Sequence, residues 1–291
     1  MLLYVILAYD CLLEVSPSVR DALKQKPYKI QKRETQQIYQ VPVKWISFYA
    51  QGTNHSVSKK VAQLVIDRTN IEYKRMNIPV VLNLSTFQDI ENTEYTFINY
   101  ADLSLQKKIS SSFGAKDNRT LNIYSANTFD ASNTKLKMDD ALGSYIRSWA
   151  SFPTETNFNG IFFNSNGFFK GGLDTDEEMR NRVTELIRSF THETFHWFGI
   201  LHTFQGGCNE DGDGDYLDDT PAVDDHYRKN VKGGIVSRPM SMSWKKDTVL
   251  SSCRNGEFDL LDNIMDYTQF GFNVTPMQRE RAIFFIQKYR R

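Results

Sequence analysis

Five histidines occur in the 291-residue chain, and three of them fall between positions 192 and 202. The stretch Thr191 to Phe204 reads THETFHWFGILHTF. On a helix, His192 and His196 stand four apart and share a face, so both imidazoles reach one metal ion. Glu193, one position on, is turned off that face and suits a different task, taking a proton from a metal-bound water. Gly199 lets the backbone leave the helix in a left-handed conformation, and His202 then returns as a third ligand. Three protein ligands leave the fourth position of a zinc ion open to water, which is the arrangement of a catalytic site rather than a structural one. A helix whose histidines are only solvated, or satisfied in a core, is the competing reading. Five fixed residues at this spacing outweigh it.

A helix has to carry these residues, and the sequence marks its start near Thr175. Thr175 and Glu178 form a capping box, and Asp174, Asp176, Glu177 and Glu178 complement the positive end of the helix. Met179, Val183, Leu186, Ile187, Phe190 and Trp197 make an apolar face whose burial would orient the histidines. Downstream, Thr275-Pro276-Met277-Gln278 is an N-cap, a proline at the first helical position and a box partner. Ala282, Ile283, Phe285 and Ile286 then give a closing helix its buried face.

Upstream, Val43 to Ala50 is a β-branched and aromatic run suited to a buried strand. Ser56 to Asn77 carries Val57, Val61, Leu64, Val65 and Ile71 at helical spacing, with Ser56 as N-cap and Pro79 as stop. Ile78 to Phe87 and Glu94 to Tyr100 read as strands, Asp102 to Phe113 as a second helix through Leu105, Ile109 and Phe113, and Leu121 to Ser125 as a short strand. This order predicts an α/β (α+β) lobe with a mixed twisted sheet and two helices, followed by the metal helix and an irregular C-terminal lobe ending in a helix. Gly143 and Pro153 are poor residues for a central strand, so the segment from Leu142 to Asn164 suits a sheet edge. An edge around Gly143, Ser144, Tyr145 and Ile146 could take an extended peptide as an added strand, or be an ordinary edge with no ligand.

Lys plus Arg and Asp plus Glu number 35 each, so net charge is zero and nothing points to nucleic acid or an anionic membrane surface. No run approaches the roughly 18 apolar residues of a membrane-spanning helix. Leu2 to Tyr9 is apolar enough for a short export signal, but no basic residue precedes it and no small-residue cleavage site follows. A first buried strand is the other reading. Residues 1–40 are expected to be a leader, pro-segment or linker, and 41–291 a catalytic unit with lobes 41–202 and 203–291. Of the three cysteines, Cys208 and Cys253 make the natural pair. Cys11 is left as a leader residue, a lipid-anchor cysteine or a pro-segment thiolate.

Beyond His202 the chain runs through Asn209 to Pro221, NEDGDGDYLDDTP. Carboxylates this dense repel one another unless solvated or wrapped around a hard cation, and oxygen ligands on a glycine-rich loop suit calcium. Asp211, Asp213, Asp215, Asp219 and Thr220 are the candidate ligands, with a solvated acidic loop as the alternative. Farther on, Asn263-Ile264-Met265-Asp266-Tyr267 offers an apolar methionine and a tyrosine hydroxyl suited to holding an oxyanion.

The run HETFHWFGILHTFQGGC, then GDYLDDTP, NIMDY and TPMQ resembles the pappalysin (cytophagalysin) family of metzincin zinc peptidases. LGSYIRSWASFP and NGIFFN are similar to that family's upper-rim strand and the strand before its metal helix. The resemblance covers about Val41 to the C-terminus. It implies a secreted endopeptidase acting on extended polypeptide through a zinc-bound water. It implies zinc at His192, His196 and His202, Glu193 as general base, and Met265 in a tight turn beneath the metal. Tyr267 would be the transition-state stabiliser, with structural calcium at the Asp-rich loop and the family's first disulfide at Cys208 and Cys253. The alternative activity is a catalytically weak relative that binds peptide or glycan. Two departures stand out: Thr194-Phe195 replaces the small residue usual before the second histidine, and the family's second disulfide has no cysteines here.

Overall fold

The computed structural model describes residues 21–23, 37–51, 57–129, 148–155, 158–164, 176–208, 214–223, 253, 258–266 and 271–290. Its centre is β1 (Tyr39–Tyr49), flanked by β2 (Val80–Glu91) and β4 (Leu121–Phe129). The sheet continues through β6 (Ile161–Asn164) to β5 (Trp149–Ala150), in the order β2-β1-β4-β6-β5, while β3 (Phe97–Asn99) pairs with the end of β4. Every pairing is parallel except β5 with β6, so the sheet is mixed as expected. Parallel neighbours need crossovers. Between β1 and β2 the crossover is α1 (Lys59–Arg75), and between β3 and β4 it is α2 (Leu103–Phe113).

Crossovers on both faces bury β1 on both sides. Val43 and Trp45 point into one apolar cluster with Val65, Ile66, Tyr73 and Phe190, and Ile46 and Phe48 into another with Tyr95, Ile109 and Phe162. The register slips by one where β1 meets β2: Val43 pairs Leu84 and Lys44 pairs Thr86, so Ser85 of β2 is the extra residue, and its hydroxyl donates to the carbonyl of Val43 at 3.0 Å. The metal helix, α3 (Asp176–Trp197), lies against the first cluster, where Trp45 stacks on Phe190 at 5.6 Å and Phe163 meets the same ring edge-on at 5.5 Å. The closing helix α4 (Pro276–Tyr289) starts on the capping box of Thr275 and Gln278 that the sequence predicts.

The structure corrects four readings. Helix α1 is capped by Ser58, whose hydroxyl accepts from Val61 N at 3.3 Å; Ser56 lies outside the described residues. The backbone N–H of Val57, just before the cap, donates to the Ser47 hydroxyl of β1 at 2.8 Å and ties the helix start to the sheet. Its buried face is Ala62, Val65, Ile66, Thr69 and Tyr73, while Leu64 and Ile71 are 42% and 55% exposed. The expected strand from Glu94 is instead a 3-10 turn over Thr93–Tyr95, because the Asn92 side chain accepts from Tyr95 N at 3.2 Å; pairing resumes only at Phe97. Finally, Gly160 to Asn164 is not at the edge: β6 is interior, and on that side of the sheet β5 is the outer strand among the described residues.

Thr194-Phe195, the departure noted above, is met by α1. The Tyr73 ring packs edge-on against Phe195 at 5.7 Å and its hydroxyl donates to Thr194 Oγ1, which itself donates to Thr191 O at 2.6 Å. Burial pushes the Tyr73 phenol far above its ordinary range, so it stays a neutral donor. Replacing Tyr73 with Phe should therefore remove one buried hydrogen bond and no packing volume. The expected loss is about 1 kcal/mol, read as a lower denaturant midpoint with an unchanged slope.

Candidate metal centre

Helix α3 ends one residue after His196, and how it ends brings the third histidine round. Gly199 sits at φ +85°, its N–H donating to His196 O at 2.8 Å, and Ile200 N donates to Phe195 O at 3.0 Å. These are the two bonds of a Schellman motif, which needs a residue in the left-handed region at that position. A Cβ at Gly199 would also lie 2.8 Å from the Phe285 ring of α4, so glycine is required twice over.

The turn brings the three imidazoles together in a buried cluster. Their Nε2 atoms lie 3.0 Å (His192–His196), 3.0 Å (His196–His202) and 3.2 Å (His192–His202) apart. Each Nδ1 faces an oxygen: Ile264 O at 2.8 Å for His192, Ile200 O at 2.7 Å for His196, and Gln205 Oε1 at 3.2 Å for His202. An oxygen acceptor fixes the proton on Nδ1, so each Nε2 presents a lone pair to the same point. Burial, the neighbouring His196 and the charge of Arg188 hold His192 well below the usual histidine range, against the pull of the Ile264 carbonyl. Three lone pairs at this separation repel unless a cation lies among them. Zinc bonds of about 2.05 Å at tetrahedral angles would put nitrogens about 3.3 Å apart, so the donor set fits zinc.

The loop holding Met265 is bound to this cluster from several sides. Besides the Ile264 carbonyl on His192, Arg188, one turn before His192, donates to Asp266 O at 2.6 Å and Gly271 O at 3.1 Å. Thr203 N reaches Met265 O at 3.4 Å, and Asn263 Oδ1 accepts from Met265 N at 2.9 Å while its amide bonds Gln278 of α4 at 2.8 Å. Met265 itself is fully buried.

Glu193 is buried beside His192 on α3. Tyr267, the stretch Gly143, Ser144, Tyr145 and Ile146, and Asp211 and Asp213 all lie outside the described residues. Cys208 and Cys253 are joined in a disulfide, with Cα atoms 5.4 Å apart. Asp219 accepts from Met277 N and the Thr275 hydroxyl, both at 2.8 Å, and so holds the start of α4. Asp215 is buried, its Oδ1 accepts from Leu217 N at 3.0 Å, and its Oδ2 has no hydrogen-bond partner. Burial pushes that carboxyl up to about 7, against the pull of Arg281. Thr220 is buried beside it. Among the residues the sequence did not single out are Arg188 and Gln205; the carbonyls of Ile200 and Ile264 leave no mark in a sequence at all.

Residues 149–286 match the peptidase family model described as pregnancy-associated plasma protein-A. An extracellular metalloprotease of Colletotrichum graminicola is 38% identical over 108 residues, 36% of this chain and 32% of that one. Extracellular metalloprotease 1 of Coccidioides posadasii is 39% identical over 84 residues, 29% of this chain and 24% of that one. The matched stretch thus spans about a quarter to a third of those relatives. Among solved structures, a mirolysin complex superposes with a TM-score of 0.57 at 16% identity, covering 87% of this chain and 93% of that one. Mature mirolysin of Tannerella forsythia, solved with a cleaved peptide, gives 0.54 at 17% identity, covering 85% and 91%. These are metzincin-type peptidases, and the shared fold is what the superpositions establish.

Gln205 supplies the one side-chain partner among the three Nδ1 contacts. Gln205→Leu should weaken zinc binding about tenfold, measured by competition with a chromogenic chelator, while Gln205→Glu should restore it.

Proposed function

We propose that this chain, whose residues 149–286 belong to the pappalysin family of metzincin peptidases, is an exported zinc endopeptidase that cleaves within extended polypeptides. One observation carries the reading: three buried imidazoles, each with Nδ1 facing an oxygen, turn their Nε2 lone pairs to one point, with a carboxylate at the next helical position. His192, His196 and His202 would hold the zinc, which when bound polarises a carbonyl and lowers the pKa of water to about 7.

The chain's own residues do the rest. Glu193 takes the proton of the attacking water and delivers it to the leaving amine. Tyr267, two positions beyond Met265, donates to the developing oxyanion. The fully buried Met265 forms the apolar floor under the histidines. Substrate lies extended beside the outer strand, along β5 and the residues Gly143 to Ile146 that precede it, adding a strand to the sheet. The cleaved peptide bound to mirolysin supports a polypeptide substrate, as do the metalloprotease names of the relatives. Those names also support export. No helix among the described residues is long and apolar enough to cross a membrane. Lobes 41–202 and 203–291 would meet along the cleft.

Calcium at the Asp-rich loop is part of the proposal. Its support is the buried Oδ2 of Asp215, which has no hydrogen-bond partner, next to Thr220; burial raises this carboxyl to about 7 even with Arg281 beside it, and a bound divalent cation would favour its ionised form. Both oxygens of Asp219 already accept from the start of α4, so any share it takes in a cation site would be through their remaining lone pairs.

Glu193→Gln should fold, keep its zinc and lose about 10²- to 10⁴-fold in turnover of a fluorogenic peptide. Unmodified protein loaded with zinc yet inert toward peptides would leave only the peptide- or glycan-binding alternative. Calcium added to zinc-loaded protein should raise the thermal midpoint, and Asp215→Asn should abolish that rise. A midpoint independent of calcium refutes the calcium site.

A further inference from the structure

The penultimate residue, Arg290, lies outside the matched family segment, yet its side chain ends at the metal helix. At the end of α3 the Schellman turn uses the carbonyls of Phe195 and His196, and Phe198 N bonds back to Thr194 O at 3.0 Å. The carbonyl of Trp197 is bonded by a side chain: Arg290 Nη2 donates to it at 3.1 Å. The same guanidinium stacks over the Trp197 indole, 3.9 Å from the ring centroid. Its Nη1 donates to Asn159 Oδ1 at 3.0 Å, an oxygen that also accepts from Trp197 Nε1 at 2.7 Å.

Charge reinforces the geometry. A cation at a helix C-terminus meets the negative end of the helix dipole, and a desolvated cation over an indole face gains further. Arg290 is 7% exposed, so both interactions act with little water between. Burial draws the guanidinium down to about 9, still charged at neutral pH. Glu155 is the acidic group that opposes this shift, and its own carboxyl accepts from Phe152 N at 2.8 Å. Phe152 in turn lies 5.9 Å, ring to ring, from His196. Arg290 therefore binds three pieces at once: the last residue of the metal helix, the loop between β5 and β6, and its own position at the end of α4.

We propose that Arg290 is a positioning residue for the metal centre. It fixes the turn by which the chain leaves α3, and so the distance from His196, inside the helix, to His202, beyond the turn. A freed Trp197 carbonyl would let the last helical turn fray, and His202 would no longer be held 3.0 Å from His196. This rests on the reading of the three histidines as a metal site, and the test separates the two ideas.

The experiment measures the zinc dissociation constant of the full chain, of R290A and of R290K, by competition with a chromogenic chelator. The unfolding midpoint of each metal-free protein is recorded beside it. Parent protein that binds no zinc defeats the metal-site reading itself. Given binding by the parent, R290A is expected to bind about tenfold more weakly, at the low end of what losing an outer support costs. R290K keeps the charge but cannot serve Trp197 O and Asn159 together, so it should fall between the two. Cobalt in place of zinc should show an altered visible spectrum in R290A. A lower metal-free midpoint with an unchanged zinc constant and cobalt spectrum would mean that Arg290 only stabilises the fold, and the inference would be wrong. Should R290A not fold, the zinc constant of R290K decides alone, and parental affinity there overturns the proposal.

Discussion

Three imidazole lone pairs held about 3 Å apart, away from water, are costly to assemble, and most of the molecule serves to keep them there. Each ring is fixed by an acceptor on a different part of the chain. Ile200 O comes from the turn after α3, Ile264 O from the loop of Met265, and Gln205 from the segment beyond His202. Moving any of these parts moves one donor atom relative to the other two. The centre is therefore sensitive to packing well away from it.

That sensitivity explains the supports around α3. On the sheet side, Trp45, Phe163 and Phe190 set its height over β1. On the α1 side, Tyr73 engages Thr194 and Phe195, the two residues between Glu193 and His196. Arg188 ties the helix to both sides of residues 267–270, and α4 braces its end through Phe285 and Arg290. None of these groups carries chemistry. Together they decide whether the groups that do are within reach of one ion.

The sequence was most readable where function or backbone geometry admits few residue types. The three histidines, the glycine that must turn left, the capping box at Thr275 and the cysteine pair all belong to that class, and the structure brings each set together. Helix α1 shows where reading fails. Its apolar residues lie on more than one side, and Ala62, Thr69 and Tyr73 bury as well as leucine does, so the helical spacing that includes Leu64 and Ile71 does not mark the buried face, and those two face solvent. The cap is Ser58 rather than Ser56: both are serines, and it is the Ser58 hydroxyl that meets Val61 N. At the metal centre, the backbone carbonyls that orient two rings and the distant arginine that holds the last turn had no local pattern to betray them. Long-range contacts set those roles, and composition or periodicity carries no trace of them.

The collision that forbids a side chain at position 199 also imposes an order of assembly. During synthesis all three histidines leave the ribosome well before Phe285, the ring that presses on Gly199. Until α4 docks, the bend carrying His202 lacks one of the surfaces it packs against, the Phe285 ring beside Gly199. The donor set carried by α3 and the turn after it is thus completed by packing against an element far downstream in the chain.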